Sequence, residues 1–456
     1  MYRRQCDMAH AVRGIFSAGL LLGAGALPVA AQSLALPAAD PVGISRSGVQ
    51  VAYGYSLEAA ATNPALLTSL REKSGAYLSV GLEMAGTQQS LESSQHSFFT
   101  SDRNRTVGAF GLALRRSPTL TLGLKMDEPF LRHGRLPGDA PTRYLGDSLD
   151  LSARRLEAQA AWALNPSLSV GVGLGVARLS YGSSSVVRLG VPNATTGLVD
   201  GLVEQRIGES GNKVVPSYSL GVRWAISPRW TLGFVHQSGL KGDLDLKAHY
   251  QDAPLGYYAN DGLSLAPLGT VTRAAAMLAT ATAAAGNGTL DLPSRTTVGM
   301  RHRTHPMVTW EADLSWTSGG LQMPGFATAH TTLGTATSPS PLPRGKGHLG
   351  AGASTEIELG KFWTLRAGLF LDQRSIEATR TEPLLGGSRT AGFSVGAGYK
   401  VFGGELNLGY QFRQSEDQDS RQLDGVWSSA GFRNVGTRLR VEGMGHLVAL
   451  GFKKTF

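Results

Sequence analysis

The chain has 456 residues, 42% of them hydrophobic, with a mean hydropathy of −0.07, a formal net charge of +9 and a single cysteine, Cys6. That is enough for one large domain or two or three ordinary ones, and composition alone does not choose between them. Lys and Arg are scattered rather than clustered, which speaks against a nucleic-acid surface. The lone cysteine lies in a segment that reads as a leader, so disulfides, thiolate chemistry and Cys-ligated metals are excluded from the exported chain.

Residues 1–31 read as a secretory signal. Arg3, Arg4 and Arg13 form the basic region, Gly14 to Leu27 the apolar region, and Val29-Ala30-Ala31 the small-residue cleavage site before Gln32. That apolar run is shorter than the ~20 residues a spanning helix needs, and no later stretch is uninterrupted enough. Residues 32–73 then form a pre-strand segment containing Ala52-Tyr53-Gly54 and Asn63-Pro64-Ala65-Leu66-Leu67.

From Ser74 onward the dominant pattern is period-two alternation, the signature of half-buried strands. The apolar rows are Ala76 to Met84, Gly108 to Leu114, Leu120 to Met126, Leu156 to Leu164, Leu168 to Val176, Tyr218 to Ile226, Trp230 to Phe234, Thr296 to Met300, Val308 to Trp316, Leu349 to Ile357, Trp363 to Leu371, Phe393 to Val401, Leu406 to Phe412 and His446 to Phe456. Six short turns, near 117, 166, 228, 304, 360 and 403, alternate with seven long loops near 85–106, 127–148, 182–215, 239–292, 318–345, 373–389 and 413–441.

Fourteen strands with strictly alternating short and long connections predict an all-β fold, a 14-stranded antiparallel transmembrane β-barrel over residues 74–456. The short turns are then periplasmic and the long loops extracellular. Trp162, Trp224, Trp230, Trp310 and Trp363 lie on the apolar parity close to short turns, as an aromatic belt at a membrane boundary requires. A barrel of about eight strands fills its own interior and one of 16–18 leaves a channel. Fourteen therefore call for an internal plug, and residues 32–73 are placed to supply it.

These stretches, together with Asp291 to Ser294, Trp310 to Trp316 and Thr364 to Gly368, resemble the FadL-type outer-membrane transporters of long-chain fatty acids and other hydrophobic compounds, which include the toluene-type hydrocarbon channels. The resemblance spans the mature chain. It implies a monomeric barrel with an N-terminal hatch in the lumen, and it places Asn63, Pro64 and Ala65 in that hatch. The interval from Ala52-Tyr53-Gly54 to Asn63 is shorter than the family's usual one, which implies a smaller hatch.

If the apolar parity faces lipid, Lys125, Arg155, Glu157, Arg223, Arg295, Glu311, Asp313 and Arg366 line the lumen. Such charges pair with one another to fill a polar interior. Arg155, Arg223 and Arg366 are also the candidate anchors for a substrate carboxylate, through paired hydrogen bonds. In the longest loop, Val271 to Ala285 reads as a short helix ended by Gly286 and Gly288, with Met277 and Leu278 as candidate extracellular capture residues.

The competing readings are a structural or adhesive barrel and an outer-membrane lipid hydrolase. His236, His348 and His446 lie in or at the ends of strands, but no His-Glu-x-x-His motif or phosphate loop is present. The expected function is passive, hatch-gated uptake of a hydrophobic small molecule, without catalysis, cofactor or metal. The expected location is the outer membrane, with its lipids and the barrel-assembly machinery as partners and no nucleic acid.

Overall fold

A computed structural model describes residues 40–52, 57–70, 72–91, 97–99, 105–136, 146–192, 199–252, 286–319, 321–324, 328–331, 334–337, 345–375, 384, 389–420 and 439–456. Residues 1–31, expected to be a leader, and Val271 to Ala285, expected to be a loop helix with Met277 and Leu278, lie outside the described residues. Among these residues no helix is long and apolar enough to cross a membrane.

The described chain forms a closed antiparallel barrel. Its strands are β1 Ser74–Leu91, β2 Arg105–Arg115, β3 Leu120–Arg135, β4 Ser148–Ala163, β5 Leu168–Pro192 and β6 Val199–Ala225. β7 has two pieces, Trp230–Gln237 and Leu240–Asp252, and so has β8, Gly286–Leu292 and Arg295–His305. The remainder are β9 Val308–Thr317, β10 His348–Leu359, β11 Trp363–Asp372, β12 Thr390–Val401, β13 Gly404–Ser420 and β14 Leu439–Thr455. Each pairs with its successor, and β14 returns to β1 in a register running from Gly75↔Thr455 to Leu91↔Leu439. The fourteen-strand barrel expected from the alternation is thus observed.

The alternation has a direct physical reading. One parity presents Leu78, Val80, Leu112, Leu174, Leu220, Leu314 and Leu408 outward, with Leu78 68% and Leu174 64% exposed, while the other parity is buried and largely polar. Apolar side chains outside and polar ones inside are stable only where the outside is hydrocarbon. Closure of the ring removes the two free edges that an open sheet would present to the membrane.

Local chemistry sets the short turns. Asn165 Oδ1 accepts the Ser167 and Leu168 amides at 2.9 and 2.8 Å, a side-chain turn that halts the strand beside Pro166. Phe402 and Gly403, with φ of 53° and 70°, form a tight hairpin between β12 and β13. Trp162, Trp224, Trp230, Trp310 and Trp363 all stand outward near this end. Trp316, Tyr218, His236, Tyr410 and His446 stand higher on their strands, where His236 Nδ1 meets Thr296 Oγ1 and His446 Nδ1 meets Tyr410 Oη, both at 2.9 Å.

The long loops are shorter than expected because the strands run on. β3 continues to Arg135, β5 to Pro192 and β13 to Ser420, and β6 begins at Val199. Above the lipid band the apolar residues change sides: Leu149, Leu151, Leu179, Tyr181, Leu244 and Leu290 point inward into a buried cluster that Leu321, Met323 and Leu384 complete. The outward apolar row ends there, so the lipid-facing signature stops while the hydrogen-bond ladder continues.

Inside the ring lies the N-terminal segment, with helices α1 Pro41–Ser45 and α2 Leu57–Thr62 followed by the 3₁₀ turn Pro64–Ser69. Its Leu57, Ala59, Ala60, Leu66, Leu67 and Leu70 pack on Tyr77, Ala109, Ala113 and Ala161 of the wall.

Candidate functional site

The bore is built from what the inward rows do with residues 40–70. Asp40 caps α1 by accepting the Gly43 amide at 2.7 Å. Burial, and after it the nearby Glu58, push the Asp40 carboxyl up to about 6. Arg46 is completely buried and donates from Nη2 to Glu311 Oε2 at 2.7 Å and from Nε to Ser354 Oγ at 3.2 Å. Ser47 and Gly48, with φ of 57° and 80°, reverse the chain.

The returning backbone lands on two carboxylates of β9. The amides of Gln50 and Val51 donate to Asp313 Oδ2 at 3.0 and 3.3 Å, and that of Ala52 to Glu311 Oε1 at 2.7 Å. These amides lie in an irregular stretch with no ladder of its own, and buried donors need partners. Glu311 and Asp313 supply them.

Asn63 ties the second half together. Its Nδ2 donates to Val51 O at 2.9 Å and to Val222 O of β6 at 3.2 Å, while Oδ1 accepts the Ala65 amide at 3.1 Å. Pro64 follows at the first helical position, where a missing N–H costs nothing. The wall beneath has Gly171 and Gly221, and neither site has room for a Cβ against Asn63, Pro64 and Ala65. Lys125 Nζ donates to Ala61 O at 2.6 Å.

Beside this segment is a cavity lined by Tyr77, Phe130, Val235, Leu240, Leu321 and Phe370 and by Asp127, Glu128, Arg155, Arg295, Asp313 and Lys346. The inward apolar cluster lies next to it, sharing Phe130, Leu240 and Leu321. The cavity reaches the wall where the wall is incomplete. β2 pairs with β3 only from Arg115↔Thr121 to Phe110↔Met126, so Arg105 to Ala109 on one strand and Asp127 to Arg135 on the other have no mutual pairing.

A bulge produces this window. Between Asp127 and Phe130 the register with β4 shifts, so that Glu128 and Pro129 together oppose Arg154. Pro129 has no ladder donor to give. Within the upper part of the window, Arg105 Nη1 on β2 reaches Asp150 Oδ1 on β4 at 2.7 Å, and His133 Nδ1 on β3 approaches Asp150 Oδ2 at 3.3 Å.

The arginines expected as anchors are not brought together. Arg155 lines the cavity but is held by Asp127 and lies 3.5 Å from Glu157. Arg366 sits elsewhere, between Glu356 at 2.7 Å, Asn407 at 2.7 Å and Glu405 at 3.0 Å. Arg223 is half-buried on β6 opposite Ser169. Arg295 differs from the first two. It lines the cavity, its Nη2 donates to Ser315 Oγ at 3.0 Å, and among the described residues no carboxylate lies within ion-pair distance of it.

Sequence reasoning placed 127–148 in a loop and so missed the window; the signal for it was Pro129 at the end of an alternating row. No group of three His, Cys, Asp or Glu among the described residues is placed to hold a metal ion.

The family model described as outer membrane protein transport protein (OMPP1/FadL/TodX) matches residues 21–456. Among solved structures, a Pseudomonas aeruginosa FadL homologue superposes with TM-score 0.73 at 16% identity, covering 93% of this chain and 100% of that one. The P. putida toluene transporter TodX gives 0.64 at 14% identity, covering 91% and 98%. The Ralstonia pickettii toluene transporter TbuX gives 0.58 at 14% identity, again covering 91% and 98%. No curated protein matches the chain in sequence.

Proposed function

The chain belongs to the family of outer-membrane transport proteins that includes FadL and TodX, and from that premise we propose that it takes up long-chain fatty acids by passive diffusion through the wall of the barrel. The observation that carries this reading is the β2–β3 window, because it places a break in the ladder at the edge of the interior cavity. A molecule caught by the apolar inward cluster passes to the cavity, while residues 40–70 act as a hatch that blocks the straight route to the periplasm. The window then releases it sideways into hydrocarbon.

The driving force is removal of apolar surface from water, worth ~0.8 kcal/mol per buried CH₂; consumption inside the cell keeps the flux inward. No cofactor, energy source or catalytic role is part of the proposal. The barrel works as a single chain, assembled by the machinery that inserts such barrels and surrounded by outer-membrane lipid.

A fatty acid rather than an aromatic hydrocarbon is favoured by Arg295. Its guanidinium has a hydroxyl for a partner instead of a carboxylate, which leaves donors for a carboxylate head group, and Lys346 lines the same cavity. The expected extracellular capture by Met277 and Leu278 remains part of the proposal. The test is uptake of labelled oleate and of an alkylbenzene by a deletion strain carrying the gene on a plasmid. Restored oleate uptake supports the reading, restored alkylbenzene uptake alone transfers the role to hydrocarbons, and no difference with either sinks it.

A further inference from the structure

The outward face of the barrel changes character abruptly on β4 and β5. From the periplasmic belt upward the outward residues of β4 are Trp162, Ala160, Ala158 and Leu156, and those of β5 are Val170, Val172, Leu174 and Val176. The next position on both strands is arginine, and the two are direct partners in the register, Arg154↔Arg178. One step higher Ser152 faces Ser180, which in turn pairs with Asn212 of β6.

The height of this border follows from strand geometry. Eight residues from Trp162 to Arg154 span about 26 Å along the strand at ~3.3 Å per residue, or about 20 Å of height at a tilt of ~40°. The apolar band of such barrels is ~25 Å tall. Arg154 and Arg178 therefore stand at the outer edge of the hydrocarbon, at the level of the outer-leaflet head groups.

Two like charges directly opposite each other on a sheet repel. Arg154 is partly neutralised, since Nε and Nη2 donate to Glu128 Oε1 at 2.9 and 2.6 Å, yet its side chain is 64% exposed. Arg178 is exposed and has no hydrogen-bond or ion-pair partner among the described residues. Guanidinium groups bind phosphate through paired hydrogen bonds, and the serine hydroxyls and Asn212 add donors above.

From this arrangement we infer that Arg178, with Arg154 beside it, binds the phosphate of a phosphorylated outer-leaflet glycolipid whose acyl chains lie along Leu156, Leu174 and Val176. The site sits on the outside of the wall and does not depend on what the bore carries; it rests on the outer-membrane orientation alone. The bound lipid would flank the window from two strands away, with Glu128 and the phosphate sharing Arg154.

The experiment uses the purified full-length barrel in neutral detergent, titrated with bis-phosphorylated lipid A and with the same lipid after enzymatic removal of both phosphates, followed by native mass spectrometry. The phosphorylated lipid should bind at least tenfold more tightly than the dephosphorylated one. Arg178→Gln should erase most of that difference, and R178K should keep part of it. Heat-modifiable gel mobility verifies that each variant is folded. Equal binding of the two lipids, an R178Q barrel that still discriminates, or displacement by millimolar inorganic phosphate with equal effect on both lipids would each overturn the inference. Oleate uptake measured in parallel separates its failure from failure of the transport reading.

Discussion

Arg155 grips Asp127 at two points, Nε to Oδ1 at 2.9 Å and Nη2 to Oδ2 at 2.6 Å, while the next residue of the bulge, the buried Glu128 at the cavity edge, pairs with the exposed Arg154. The bulge of β3 is thus stapled to β4 at two successive positions. The staple draws β3 toward β4 and away from β2, which is where the ladder opens. Removing the buried arginine with Arg155→Ala is expected to destabilise the barrel by about 3–5 kcal/mol. The double variant D127A/R155A should lose clearly less than the sum of the single changes. Denaturant unfolding in detergent measures the cycle, and simple additivity would show that the pair does not hold the bulge.

Deleting Pro129 alone should close the window. Glu128 and Pro129 share one partner on β4, so losing one residue restores continuous pairing without flipping the parity of Phe130 and the residues beyond it. Oleate uptake is expected to fall at least tenfold while the barrel keeps its heat-modifiable mobility. Unchanged uptake by a folded deletion would move the exit elsewhere.

Substrate choice should respond to Arg295. Replacing it by alanine is predicted to raise the half-saturating oleate concentration roughly tenfold, as loss of a charge-assisted contact would, and to leave uptake of an uncharged alkylbenzene as it was. A parallel fall in both would mark Arg295 as structural.

The seat of residues 40–52 should weaken with rising pH. Asp40 keeps its proton up to about 6 in the folded chain, against 3.8 for the ordinary carboxyl, because ionising it means burying a charge near Glu58. The folded state binds the proton more tightly than the unfolded one, so this contribution is complete below about pH 4 and is lost as the pH climbs through 6, by up to ~3 kcal/mol. Asp40→Asn should abolish that slope. Hydrogen exchange of residues 40–52 between pH 4 and 7, corrected for intrinsic rates, is the readout; identical profiles for wild type and D40N would contradict it.

Asp313→Ala leaves the amides of Gln50 and Val51 without their acceptor, at a cost of about 1–3 kcal/mol per orphaned group. Planar-bilayer conductance should rise, and rise further when residues 49–62 are deleted. D313N, which keeps an acceptor oxygen, should fall between wild type and alanine. A deletion with wild-type conductance would show that the segment is no plug.

The barrel itself was legible because lipid writes one rule on the outward row, and rows such as Leu78, Val80 and Leu82 obey it without interruption. The same rule failed above the band, where Leu149, Leu151 and Leu179 turn inward and a ladder without outward apolar residues looks like a loop. Asn63-Pro64-Ala65 was located by resemblance, whereas its grip on Val51 and Val222 had no signal in the sequence. The pairing of Arg46 with Glu311 joins residues 265 positions apart. Arg155 and Arg366 carried the right type and parity for an anchor, but their carboxylate partners appear only in three dimensions.

The seam between β1 and β14 bears on how the molecule can be made. Residues 40–70 are translated before any of the strands, yet Arg46 and Ser47 bond to β9, β10 and β12, as far as 347 positions later. The segment has nothing to dock against until most of the wall exists, and it is enclosed once β1 zips to β14 from Gly75↔Thr455 to Leu91↔Leu439. Sealing the ring is thus also the step that traps its contents, so a barrel that closed before the segment had found β9 would be left permanently empty.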